Sequence, residues 1–120
     1  SYAKARQQFK QPISRFQTIQ NYLADMAVQI DASQLLLYRA AARKDSGRPF
    51  SAEAAMAKLH CSTTARMVTN LAVQIHGGYG YSREYDVERY FRDAKVTEIY
   101  EGTSEIQRMV IARDILTRPT

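Results

Sequence analysis

The feature that most constrains this chain is an apolar stripe running from Phe16 to Ala41. Phe16, Ile19, Leu23, Met26/Ala27, Ile30, Leu37 and Ala41 recur largely at three- and four-residue steps. That spacing puts them on one face of a single helix of about 30 residues. A helix this long must bury its face against neighbours. The stripe is too broad for the strict heptad seam of a coiled coil, so it favours a helical bundle. Pro12 pushes Gln11 out of helical geometry, and Ser14 with Gln17 reads as a capping box at the start. At the other end Gly47 suits a C-terminal cap, and Pro49 prevents continuation.

The rest of the chain repeats the theme. Ser51 reads as the cap of a second long helix, with Glu53 complementing the dipole of its first turn. Its apolar set is Ala55, Met56, Leu59, Ala65, Val68, Leu71, Ala72 and Ile75, and many of its positions are Ala, Ser or Thr. Small side chains permit close approach, which predicts a central helix. Gly77, Gly78 and Gly80 should end it, because glycines so closely spaced hold a helix poorly. Asp86 reads as the cap of a third helix, buried through Val87, Tyr90/Phe91, Ala94 and Ile99. After a break at Glu101-Gly102, Ser104 and Gln107 form a second capping box that opens a fourth helix, which Pro119 ends. No stretch reads as a strand. The expectation is all-α: an antiparallel four-helix bundle forming one domain over residues 1–120. Residues 1–9 are helix-compatible from the start and uncapped, which predicts a piece of a longer chain that begins inside a helix.

Composition narrows the classes. With 45% hydrophobic and 24% charged residues the 120-residue chain is of globular type. No run reaches the roughly 18 apolar residues of a membrane span, and residues 1–20 hold no apolar segment of the signal-peptide kind. The single Cys61 excludes an internal disulfide. The net charge is +5, and the first 24 residues carry four basic side chains and no acidic one. Such a run is either a solvated face or a contact for an anion. Nucleic-acid binding is disfavoured, because the tyrosines are not interleaved with the basic residues. No metal site is expected: His60 and Cys61 are adjacent on a helix and diverge, and His76 is remote. The segment Gly77 to Gly80 lacks the Lys-Ser/Thr of a phosphate loop and reads on its own as a tight turn.

One carboxylate stands apart. Glu101 lies in the break between two helical patterns, with Ile99 and Tyr100 before it and Gly102 after it. Spacing alone favours an acid that complements the dipole of the next helix. The alternative is a general base, which requires that Glu101 be partly desolvated.

Three motifs bear on that choice. They are Arg6-x-x-Phe9-x-x-Pro12-Ile13 followed by Gln17; Gln74-x-x-Gly77-Gly78-x-Gly80-Tyr81 followed by Glu84, Arg89 and Asp93; and Arg92-Asp93-Ala94-Lys95 leading into Ile99-Tyr100-Glu101-Gly102-Thr103-Ser104-x-Ile106-Gln107. Together they resemble the C-terminal α-helical domain of the acyl-CoA dehydrogenases, flavoenzymes of fatty-acid and branched-chain amino-acid oxidation, across essentially the whole chain.

The resemblance implies a role for each matched residue. Glu101 would remove the α-proton of an acyl-CoA thioester during its dehydrogenation to a trans-2-enoyl-CoA, with FAD as cofactor and electron-transferring flavoprotein as electron acceptor. Tyr100 and Gly102 would lie against the substrate. Arg6 would meet the FAD phosphates, and Phe9 and Gln17 the adenosine end. Gln74, Gly77 and Gly78 would contact FAD of a neighbouring subunit. Thr103 and Glu105 would lie near the ribose and pyrophosphate. Glu105 is often Gln in the family, and the Glu variant resembles short-chain and short/branched-chain members. The resemblance further implies a homotetramer in the bacterial cytoplasm or mitochondrial matrix, and little activity for these residues alone, since two further domains build much of the site. The competing reading is a non-catalytic helical oligomerisation module.

Overall fold

The computed structural model describes residues 1–117. It is mostly helical, as expected. A short helix α1 (Tyr2–Ala5) leads into strands β1 (Gln7–Gln8) and β2 (Gln11–Pro12) and a 3-10 turn, Ile13–Arg15. The long helices α2 (Gln17–Asp45) and α3 (Ser51–His76) follow, then the single turn α4 (Gly78–Tyr81), α5 (Val87–Val96) and α6 (Ser104–Thr117). The proposed stop at Pro119 lies outside the described residues.

Helix α3 is the hub. It packs against α2, α5 and α6, and also against α4 and α1. Its most buried residues are Ala52, Glu53, Ala55, Ala57, Ser62 and Thr64, and α2 meets it through Ser33 and Ala40. Small side chains bring the axes close, which is what the Ala/Ser/Thr content predicted. They bury little apolar area, so each contributes little at about 25 cal/mol per Å². Among the described residues no large side chain is fully buried.

Here the sequence expectation needs correction. The stripe on α2 is not a buried core face: Leu23, Ile30 and Leu37 are 41–53% exposed. Tyr90, Phe91 and Ile99 are exposed as well. Periodicity identifies the helices but not what covers their faces, and these residues do not build an interior around themselves. The described residues extend 61 × 24 × 24 Å, a shape with too little interior for every stripe.

Local signals fared unevenly. The end of α2 is as expected. Gly47 adopts φ 68°, its N–H donates to Lys44 O at 3.0 Å, and that of Arg48 donates to Arg43 O at 3.1 Å. These are the paired bonds of a Schellman cap. The proposed capping residues Ser14 and Ser51 make no cap. Phe16 and Phe50 occupy those positions without side-chain hydrogen bonds, and the Gln20 side chain instead donates to Ser14 O at 3.1 Å. Glu53 is buried, and Arg39 and Arg43 of α2 approach its Oε1 at 3.4 and 3.3 Å. Two guanidinium groups compensate a carboxylate whose burial alone would be costly.

The expectation of no strand also fails, on a small scale. β1 and β2 form an antiparallel hairpin, pairing Gln7 with Pro12 and Gln8 with Gln11. Its two-residue turn is Phe9-Lys10, with φ of 50° and 64°. Positive φ at both central positions is the type I′ hairpin turn, which ordinarily recruits Asn or Gly there. Neither residue signals a turn; Pro12 marks a break in this stretch, but not its hairpin form. The three glycines likewise do not simply break the chain. Gly77 ends α3 at φ 61°, but Gly78–Tyr81 makes a further helical turn.

Candidate functional site

The two ends of α3 carry the two groups of candidate residues. The first lies where α3 stops. Arg6, Gln74, Gly77 and Gly78 line one cleft of about 560 Å³, together with Tyr2, Tyr79 and others. Four of the eight expected cofactor residues are thus brought together from sequence positions nearly seventy residues apart. Tyr2 stacks on His76 with ring centres 3.9 Å apart, and its hydroxyl donates to His76 O at 3.3 Å. Tyr85 packs edge-on to Tyr2 at 5.3 Å. The Arg6 guanidinium lies 5.1 Å from the centre of the Tyr79 ring.

The glycines of this cleft differ in what demands them. A Cβ on Gly80 would lie 2.5 Å from Val73 O and 2.8 Å from His76 Cβ, so packing on α3 excludes a side chain there. A Cβ on Gly78 would meet nothing within 4 Å, at an ordinary φ. The fold itself therefore does not require glycine at 78, and the space in front of it is open. Gly77 is fixed by its positive φ, and its N–H is already bonded to Val73 O at 3.0 Å and Gln74 O at 3.1 Å. That N–H is not a spare donor. Phe9 and Gln17 stand outside the cleft. Phe9 is 87% exposed at the hairpin tip, edge-on to Phe16 at 6.1 Å, and Gln17 is exposed at the start of α2.

The second group lies between α5 and α6. Glu101 and Gly102 both have positive φ, 50° and 92°. For Glu101 the left-handed conformation costs about 1–2 kcal/mol. Side chains hold the turn in place. Lys58 Nζ donates to Gly102 O at 2.7 Å, and Gln107 Nε2 donates to the same oxygen at 3.1 Å and to Glu101 O at 3.4 Å. A hydrogen bond from a charged donor contributes about 1.5–3 kcal/mol, enough to offset the strain. A Cβ on Gly102 would lie 2.7 Å from Gln107 Nε2. The chain therefore needs glycine here whether or not a substrate approaches.

Around this turn the charges are ordered. Glu98 accepts from Lys95 at 2.7 Å and from Arg66 of α3 at 2.9 Å, and those two bonds hold its carboxyl below the usual range. Its main-chain carbonyl accepts from Ser104 N at 3.0 Å, closing the loop. Glu105 is exposed, and its carboxyl is also lowered, first by its own backbone N–H and then by the Thr103 hydroxyl. Ile106 N reaches Thr103 Oγ1 at 3.4 Å. Thr103, not Ser104, therefore supplies the cap, and Ser104 Oγ is buried without a partner among the described residues. Gln107 is a clamp on the turn rather than half of a capping box.

Glu101 and Tyr100 are exposed, and with Lys58, Cys61, Ser62, Ala65 and Thr97 they line a cleft of about 330 Å³. The desolvation that a base needs is not supplied by the described residues. Sequence reasoning missed Lys58 and Glu98. Lys58 did leave a signal: it is the only Lys, Arg, Asp or Glu between Glu53 and Arg66. The two groups are far apart, since Lys58 and His76 are separated by about 27 Å along α3. Among the described residues, no group of three or more His, Cys, Asp or Glu could hold a metal, and no helix is long and apolar enough to cross a membrane.

Comparison with known proteins bears on the chain as a whole. The family model described as "Acyl-CoA dehydrogenase, C-terminal domain" matches residues 1–116. The chain is 56% identical over 117 residues to an acryloyl-CoA reductase (NADH) of Anaerotignum propionicum, covering 98% of the chain and 30% of the relative. It is 52% identical over 116 residues to the mitochondrial short-chain specific acyl-CoA dehydrogenase of Bos taurus, covering 97% and 28%. Among solved structures, butyryl-CoA dehydrogenase from Megasphaera elsdenii superimposes with a TM-score of 0.94 at 53% identity, over 96% of this chain and 30% of that one. An FAD complex of PigA superimposes with a TM-score of 0.92 at 36% identity, over 98% and 31%. The chain spans about a third of the length of the curated relatives it matches.

Proposed function

The chain belongs to the acyl-CoA dehydrogenase family, matching its C-terminal domain, and from that premise we propose that it serves an FAD-dependent dehydrogenase of short acyl-CoA thioesters. Glu101 is the base. The observation that carries this reading is the Glu101–Gly102 turn itself. A strained, charged residue at a helix junction is held by side-chain donors that leave its carboxylate out of any ion pair the described residues make. Strain that the surroundings over-determine is characteristic of functional positions.

In the proposed reaction the Glu101 carboxylate takes the α-proton of the thioester, and bound FAD supplies the acceptor for the β-hydride, leaving a trans-2-enoyl-CoA. Tyr100 and Gly102 border the acyl group. Water exclusion by the acyl chain and the remaining domains strengthens the base at the moment it is needed. Thr103 and Glu105 would lie beside the ribose and pyrophosphate of the bound cofactor. The ionised Glu105 suits ribose hydroxyls better than phosphate. Electron-transferring flavoprotein then takes the electrons.

The Arg6 cleft suits the cofactor's other end. A guanidinium meets its phosphates, and the open space before Gly78 admits a group that a side chain would obstruct. Phe9 and Gln17, which stand outside that cleft, would border the adenosine end of the bound cofactor. The distance along α3 supports assigning this cleft, with Gln74 and Gly77, to the flavin of a neighbouring copy. The exposed apolar faces of α2 and α5 suit cover by other domains and by other copies in a homotetramer of the bacterial cytoplasm or mitochondrial matrix. A purely structural oligomerisation module would use those faces but would not need the strained Glu101.

The test is Glu101→Gln in the full-length protein. Flavin content should be unchanged, and bleaching of the flavin by butyryl-CoA should slow by about 10²–10⁴-fold. Bleaching at the unaltered rate would falsify the assignment.

A further inference from the structure

The proposed chemistry leaves Lys58 unused. It is half-buried on α3 in a run without other charges. Its ammonium reaches Gly102 O at 2.7 Å and lies 5.9 Å from the centre of the Tyr100 ring. With Tyr100 and Glu101 it lines the same cleft. Arg66 and Lys95 both pair with Glu98, whereas Lys58 has no ion pair among the described residues and spends its charge on a main-chain carbonyl.

We propose that Lys58 is a positioning residue for the base: its ammonium fixes the Gly102 carbonyl and so aims the Glu101 carboxylate at the substrate. The peptide linking Glu101 to Gly102 lies between two left-handed residues, so rotation about it swings the carboxylate. Lys58 and Gln107 fix the carbonyl on the far side of Gly102 from two directions, using both of its lone pairs. Lys58 reaches across from α3, whereas Gln107 belongs to the helix that the turn itself starts. Lys58 ties the turn's own carbonyl to the hub helix, whereas Arg66 of α3 reaches only the Glu98 side chain that precedes the turn. This inference rests on Glu101 being the base.

The experiment compares Lys58→Met and Lys58→Arg in the full-length flavoprotein, measuring bleaching by butyryl-CoA per bound flavin. Methionine is unbranched, one atom shorter, and removes the donor. It should slow bleaching by about 10–100-fold, leave KM within about twofold, and raise the isotope effect with α-deuterated butyryl-CoA. Arginine restores a charged donor and should recover most of the rate. A Lys58→Met protein that bleaches at the wild-type rate, or a Lys58→Arg protein as slow as Lys58→Met, overturns the proposal. If Lys58→Met does not retain flavin, Lys58→Leu, which also lacks a donor, is measured in its place, again per bound flavin and by the same criteria. Glu101→Gln is run in parallel. Loss there with no loss at Lys58 rejects only the positioning role; no loss at Glu101 rejects the base on which it depends.

Discussion

The Arg6 cleft and the Glu101 turn sit at opposite ends of one helix and are built on opposite principles. At the Glu101 end the backbone is strained and the chain's own side chains hold it, so its shape is complete without a partner. At the Arg6 end the walls come from α1, the hairpin and the α3–α4 junction, and the space between them is open. Their glycines show the contrast. Gly102 is demanded by φ 92° and by the Gln107 amide, whereas Gly78 is demanded by nothing inside the chain. A glycine that the fold explains says little about a ligand. One that the fold leaves unexplained points outward.

The sharpest way to break this contrast is Gly102→Ala. It forces a side chain into a left-handed residue and against Gln107. We expect a loss of about 2 kcal/mol or more in stability and at least a ~100-fold loss in flavin bleaching. Thermal unfolding and stopped-flow absorbance measure the two. Wild-type values for both would mean that the turn is not held as described.

A paired test follows at the other end. Gly80→Ala should lower stability by about 1–3 kcal/mol through its clash with Val73 O. Gly78→Ala should leave stability unchanged or raise it by up to about 1 kcal/mol, since alanine favours the helical turn. It should nonetheless weaken flavin retention in the full-length protein. If Gly78→Ala keeps its flavin, the open space is not a cofactor surface.

The smallest expected effect concerns acid. The folded Glu98 carboxyl is lowered by Lys95 and Arg66. Its stabilisation is therefore fully present above the ordinary glutamate value of about 4.3 and is lost as pH falls through the lower folded value. Glu98→Gln should flatten the dependence of melting temperature on pH below about 4.3 and leave it unaltered above that value. An equally steep acid limb in the variant would show that the Glu98 bonds do not contribute.

How much of this was legible in the sequence varied with the range of the signal. The helices were, because Val68, Leu71, Ala72 and Ile75 repeat at helical spacing and Gly47 carries its own stop. The pattern cannot say what covers a face, so Leu23, Ile30 and Leu37 were assigned to an interior and proved exposed. A break at Phe9 to Ile13 is legible from Pro12, but that it is a hairpin turn at Phe9-Lys10 is not, because the turn is imposed by the pairing of its flanks rather than by its residues. The Glu101 motif was conspicuous. Its support was not: Lys58 lies more than forty positions away, and only the packing of α3 against the α5–α6 junction brings it there.

The small-residue packing around α3 also shapes how this chain tolerates change. Ala40, Ala52, Ala55, Ala57, Ser62 and Thr64 offer little to delete, so truncation, the usual route to damage in a core, has little purchase here. Harm comes instead by addition. One extra methyl group on the inner face of α3 must push helices apart, because rigid close-packed neighbours cannot absorb it. A rigid helix transmits that shift along its length. A substitution in the middle of α3, touching neither cluster, can therefore misalign both of them at once.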